Sequence, residues 1–192
     1  MNDETELLAK IRNGATDDFA EIIQRHQEQV VKILYRYERD AHLVEDLAQD
    51  TFVKAWNALA QFDGRAPFAH WLSRIAVHVA LDHLRKRKRV KNEIGFEELG
   101  EDALDWFHSD DAEKNVEANQ AREILELAMR ELSAEEQLVI TMLEIEGRSV
   151  EEIRALTNSS SVAVRVRAFR ARAKLKKSLL KMEMKNHERR TT

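Results

Sequence analysis

The chain has no cysteine, one proline and only five glycines in 192 residues, and no apolar run that approaches the length of a membrane span. Each absence excludes something. Without thiols there is no disulfide framework, no thiolate metal site and no cysteine nucleophile. So few helix breakers predict long uninterrupted helices, and a sheet would lack its turn residues, so the expected fold class is all-α. A bilayer span needs roughly 20 apolar residues, and Met1 to Leu8 lack the basic-then-apolar layout of a signal peptide. No membrane insertion is expected, and the predicted location is the cytoplasm. Phosphate-cradling glycine loops and serine-nucleophile elbows are missing. The pairs His42 with Glu45 and Asp82 with His83 fall short of the several converging pairs that a helical metal site needs. The chain is therefore expected to be no enzyme and to hold no metal or cofactor.

What is present is a chain that is 43% hydrophobic and 34% charged, with a net charge of -4 that hides a strong segregation along the sequence. After Gly14, the residues Phe19, Ile22, Ile23, His26, Val30, Ile33, Leu34 and Tyr37 recur at helical spacing, with Thr16 or Asp17 positioned to cap the start. A second run, Val44, Leu47, Ala48, Thr51, Phe52, Ala55, Trp56 and Leu59, is broken by Gln61 to Pro67. A third carries Phe68, Trp71, Leu72, Ile75, Val79 and Leu84 on its apolar side. These three helices are expected to share one core in a domain spanning 1–90.

From Lys91 to Asn119 the periodicity fades and acidic residues crowd in, which reads as a linker. Its apolar members Phe96, Leu99, Leu104, Trp106 and Phe107 are too many for a purely solvated tether. Beyond it, Ala121, Ile124, Leu125, Ala128 and Leu132 mark a helix, and two capping boxes follow, Ser133-x-x-Glu136 and Ser149-x-x-Glu152. Gly147 and Asn158 are placed to end the helices that these boxes start. Ser159 to Ser161 then form a short turn into a long basic run. Two helices joined by a tight turn, the second basic, read as a helix-turn-helix in a domain spanning 120–185.

Between Glu152 and Glu183 there is no acidic residue, while Arg154, Arg165, Arg167, Arg170, Arg172, Lys174, Lys176, Lys177 and Lys181 all fall there. That is the electrostatic footprint of a nucleic-acid binder. At about 100° per residue, Val164, Ala168, Ala171, Leu175 and Leu179 form a core stripe. Val162, Val166 and Phe169 cluster on another side among arginines, as they would on a helix that reads base edges. The plain alternative is a second packed face with solvated basic neighbours. The third helix carries Arg74, His78, Asp82, Arg85 and Arg89 at steps of three and four and ends in LRKRKRVK, a candidate phosphate-binding face that also suits the helix dipole. Glu45, Asp46, Gln49 and Asp50 form an acidic patch that would repel DNA, either a surface for a protein partner or an ordinary solvated face.

The segments HLVEDLAQDTFVKAW, FDGRAPFAHWLSRIAV, a basic helix end, a linker, LSAEEQLVITMLEIEGRSVEEI and VRVRAFRARAKL follow one another over nearly the whole chain. In this order they resemble the extracytoplasmic-function sigma factors of bacterial RNA polymerase. The resemblance implies a domain that docks on polymerase and melts promoters, joined to a helix-turn-helix domain. It implies core RNA polymerase, promoter DNA and an anti-sigma factor as partners. It assigns polymerase binding to Glu45, Asp46, Leu47, Gln49, Asp50 and Phe52. Contact with the minus-10 element falls to Phe62, Gly64, Arg65, Phe68, Arg74, His78, Arg85, Arg87 and Arg89. Contact with the minus-35 element falls to Ser161, Val162, Arg165, Val166, Phe169, Arg170, Arg172 and Lys174. The chain departs from the family where His78 replaces a frequent asparagine, Val162 and Ala163 a glycine-threonine pair, and Val166 a serine. The competing reading is a helix-turn-helix regulator with an N-terminal sensing module, which leaves the acidic helix and the aromatic-rich WL segment without a role.

Overall fold

The computed structural model describes residues 3–94 and 116–190. Among these residues the structure is helical, with no strand. The chain divides into two compact units, Met1–Asp82 and His83–Thr192.

The first unit begins with a helix that the periodicity above did not single out, α1 (Asp3–Arg12), whose Leu7, Leu8 and Ile11 are buried. A one-turn 3-10 helix, Thr16–Asp18, follows, and α2 (Phe19–Leu34) continues from it. Neither Thr16 nor Asp17 caps α2; the preceding residue is Asp18, which makes no side-chain cap bond, because the 3-10 turn already supplies the entry. Helix α2 stops at Leu34, and Tyr37 is buried in the turn beyond it rather than in the helix. Asp40 caps α3 (Ala41–Ala58) by accepting bonds from the backbone N–H groups of His42 and Leu43, at 2.9 and 3.1 Å.

The fourth helix, α4 (Phe68–Ile94), starts after Pro67, whose carbonyl accepts from the N–H of His70 at 3.0 Å. Proline suits this position because its missing N–H would have had no helical partner. Phe68, Leu72, Ala76, Val79 and Ala80 of α4 join Ile22, Val30, Val44 and Ala55 in the core. Trp71 and Ile75 are half-buried and Trp56 is partly exposed, so the core is more aliphatic than its sequence suggests. Trp56 still meets the ring of Phe19 edge-on at 5.0 Å.

Most of the acidic stretch read as a linker, including Phe96, Leu99, Leu104, Trp106 and Phe107, lies outside the described residues. Its two ends, 91–94 and 116–119, are helical as parts of α4 and of α5 (Val116–Met129). In the second unit both capping boxes are formed. Ser133 and Glu136 exchange bonds at the start of α6 (Ala134–Ile140), and Ser149 and Glu152 do so at the start of α7 (Val150–Thr157). One π turn, Thr141–Ile145, extends α6. Gly147 at φ +63° and Asn158 at φ +54° take the left-handed conformation that ends each helix. The long helix α8 (Ser161–Arg190) closes the unit, burying Val164, Ala168 and Ala171 against α5, α6 and α7. Leu175 packs on this core, whereas Leu179, assigned to the same stripe, is exposed beyond its edge.

Candidate functional site

Helix α8 is entered through a serine turn. Ser160 accepts from the N–H of Ala163 at 3.1 Å, and Arg167 donates to the Ser159 hydroxyl at 2.9 Å, which sets the helix start against α7. Ser161 is half-buried in the first turn. On the side of α8 opposite the buried stripe stand Val162, Val166 and Phe169, at i, i+4 and i+7. Phe169 is 74% exposed and Val162 67% exposed. A second packed face would bury these side chains, so the plain alternative for this cluster does not hold within the second unit. Arg165 and Arg170 are exposed on its two flanks. Arg172 is exposed as well and forms an ion pair with Glu144 at 2.6 Å.

Lys174 behaves differently. Its ammonium donates to Glu136 at 2.7 Å, and that carboxylate is only 6% exposed while also accepting from the Ser133 N–H at 2.8 Å. Burial works against the Glu136 carboxylate, but the bonds from Lys174 and Ser133 outweigh it and hold its pKa below the ordinary 4.5. Lys174, assigned from sequence to DNA, therefore ties α8 to α6, because this charge already has a buried partner.

The assigned polymerase contacts of α3 split into three groups. Asp46 and Asp50 project outward on one face together with Leu43 and Val53, and Asp50 pairs with Lys54 at 2.9 Å. Glu45 and Gln49 run along the neighbouring flank beside Trp56. Leu47 is half-buried and Phe52 is buried, so Phe52 supports the helix from below and offers no contact surface. Leu43 and Val53, to which sequence assigned no role, are exposed apolar residues off the core stripe.

Between α3 and α4 the loop Asp63–Ala66 is exposed. Gly64 has φ +74° and nothing within 4 Å of where a Cβ would stand, so backbone conformation and not crowding calls for glycine there. The exposed side chain of Arg65 pairs with exposed Asp63 at 3.2 Å. Phe62 and Phe68, assigned to base contact, are instead buried and stack with Trp71 at ring distances of 5.3 to 5.4 Å, so they anchor the loop ends. Along α4, Arg74 and His78 are exposed, and a ring nitrogen of His78 lies 2.7 Å from the Arg74 carbonyl. Arg85, Arg87 and Arg89 are exposed too, with Arg85 paired to Glu135 inside the second unit at 2.8 Å.

A two-unit helical chain with a basic, outward-facing second helix in a helix-turn-helix defines a DNA-binding protein. Residues 22–90 match Sigma-70 region 2 and residues 122–175 match Sigma-70 region 4. The RNA polymerase sigma-H factor of Pseudomonas aeruginosa is 29% identical over 183 residues, covering 92% of this chain and 93% of that protein. The ECF RNA polymerase sigma-E factor of Escherichia coli K12 is 30% identical over 177 residues, covering 86% and 88%. Among solved structures, CnrH in complex with the cytosolic domain of CnrY is 28% identical, with a TM-score of 0.53 over 90% of this chain and 94% of that one. The chain belongs to the extracytoplasmic-function sigma factors of bacterial RNA polymerase. It directs promoter-specific initiation of transcription.

Proposed function

We propose that residues 1–90 form the part that docks on core RNA polymerase and opens the promoter, and that residues 120–185 form the part that holds the minus-35 element. Asp46, Asp50, Leu43 and Val53 form the docking face, flanked by Glu45 and Gln49. The loop Asp63–Ala66 with Arg74, His78 and the Arg85 to Arg89 run faces the minus-10 element. Val162, Arg165, Val166, Phe169 and Arg170 enter the major groove, and Arg172 contacts phosphate. The protein catalyses nothing itself and works in the cytoplasm with polymerase. Its activity is restrained by an anti-sigma protein that covers the exposed faces of α3 or α8, a reading in keeping with the similar CnrH forming a complex with the cytosolic domain of CnrY.

The observation that carries this reading is the exposed apolar face of α8, with arginines on both flanks, in a chain whose α3 presents an exposed acidic face. Reconstitution with core polymerase tests it. The wild type should form a one-to-one complex and initiate at defined promoters. Arg165→Ala should lose output on promoters that depend on a minus-35 element and keep it on a promoter with an optimal minus-10 element alone. A chain that core polymerase ignores, yet that binds an operator tightly by itself, would be a conventional regulator.

A further inference from the structure

Helix α1 lies before residue 22, where the match to Sigma-70 region 2 begins. Two of its polar side chains connect to the ends of the loop between α3 and α4, Arg12 directly and Glu4 through His26. At the entry, Arg12 donates through Nη2 to the carbonyl of Leu59 at 3.1 Å and to that of Phe62. The Arg12 guanidinium also lies 5.7 Å from the centroid of the Phe62 ring. Arg12 is itself exposed, but its donors add to the bond that the Leu59 carbonyl accepts from the Phe62 N–H and so fix the one-turn helix Leu59–Gln61 that leads into the loop. At the exit, Glu4 meets buried His26 at 2.6 Å, and the His26 ring stands 5.4 Å from that of Phe68. The rings of Phe62 and Phe68 are themselves 5.4 Å apart and nearly perpendicular. The five residues between these anchors, Asp63 to Pro67, are all exposed.

From this arrangement we infer that α1 is a brace for the minus-10 loop and that Arg12 is its positioning residue. The inference rests on the loop being the contact to the minus-10 element. A short loop has its tip placed by its ends, and recognition of a base demands placement within about 0.5 Å. Loss of the Arg12 donors lets the Phe62 end drift, and the loss should appear in base discrimination more than in stability or docking.

The test uses the full chain with core polymerase on a promoter library randomised at both elements, and reads the enrichment of sequences among transcripts. Arg12→Met keeps the hydrocarbon stem and removes the donors. It should reduce minus-10 preference about tenfold, since misplacement of this kind commonly costs one to two orders of magnitude, while minus-35 preference and polymerase affinity stay as in the wild type. Arg12→Lys, which keeps the charge and one set of donors, should recover part of the preference, to within about threefold of wild type. A wild-type minus-10 preference in Arg12→Met overturns the inference. If Arg12→Met loses polymerase binding altogether, Arg12→Lys decides: a full wild-type preference there assigns Arg12 to fold stability alone and also overturns it. Arg65→Ala separates the two levels. Should Arg65→Ala leave minus-10 preference intact, the loop itself is not the contact and the inference falls with it. If Arg65→Ala shifts the preference and Arg12→Met does not, only the role of Arg12 is refuted.

Discussion

Replacing Lys174 by alanine distinguishes a lysine that holds the fold from one that holds DNA. In the wild type its ammonium meets the buried Glu136 carboxylate at 2.7 Å, and the variant leaves that carboxylate with the bond from the Ser133 N–H. Removing one partner of a fully buried ion pair costs about 3 to 5 kcal/mol. A hydrogen bond to a charged group is worth about 1.5 to 3 kcal/mol. The Lys174 side chain is 49% exposed, so water replaces part of what it supplied. With that screening the expected loss is about 1 to 2 kcal/mol. Amide hydrogen exchange in α6 and α8 of the full chain reads this locally, and protection should fall roughly 5- to 30-fold. In the double variant with Glu136→Gln the two losses should not add. Acid tests the same tie. The folded Glu136 pKa lies below 4.5, so its contribution is complete above that value and is lost as pH falls through the folded value. Protection in α6 should decline in that window in the wild type and much less in Glu136→Gln. The reasoning fails if Lys174→Ala leaves exchange unchanged and instead lowers the salt slope of DNA binding by about one unit, the mark of a lost phosphate contact.

Three further outcomes are expected. Changing Asp46 and Gln49 to arginine should abolish the complex with core polymerase without unfolding the chain, because both are exposed on α3, and titration of labelled polymerase reads this directly. Phe169→Ala and Arg165→Ala should each cost about 1 to 3 kcal/mol on the preferred minus-35 duplex and much less on scrambled DNA; unfolding of Phe169→Ala would return that side chain to the core. Val166→Ser should erase any affinity difference between duplexes carrying thymine and uracil at the contacted steps, because the methyl group of thymine is the apolar group that the valine can meet; equal binding of both duplexes by the wild type would remove valine from the reading face.

The parts of the fold that were legible in sequence are those where a local rule decides alone. Each Ser-x-x-Glu closes a ring of bonds over four residues, so both capping boxes could be read without tertiary knowledge. Asn158 ends α7 for an equally local reason, its tolerance of the left-handed conformation. Where a distant partner decides, sequence was silent. Nothing near Lys174 announces an acid 38 residues upstream, and the neighbouring lysines look the same. Phe62 precedes an exposed glycine turn and so reads as a loop aromatic, yet it is held by Trp71 of α4 and Arg12 of α1. Helix α1 was overlooked because its ten residues bury only Leu7, Leu8 and Ile11, too short a stripe to stand out from a charged terminus. The π turn at Thr141–Ile145 carries an ordinary apolar composition and leaves no local mark.

Which cations are available to DNA follows from the burial of the acids that hold them, and not from their number. Arg172 pairs with a Glu144 side chain that is 53% exposed, and such surface pairs are worth between nothing and about 1 kcal/mol. A phosphate can take the place of Glu144 at little cost, after which the carboxylate is simply rehydrated. Lys174 cannot make that exchange, since withdrawing it would strand a buried carboxylate. The same test extends to Arg85, whose partner Glu135 is 31% exposed and so stands between the two cases. Segregation of charge then supplies the second half of partner choice. On the proposed assignment, an acidic α3 repels the phosphate backbone that a basic α8 attracts, so each exposed face rejects the other's partner even though the whole chain carries a net charge of only -4.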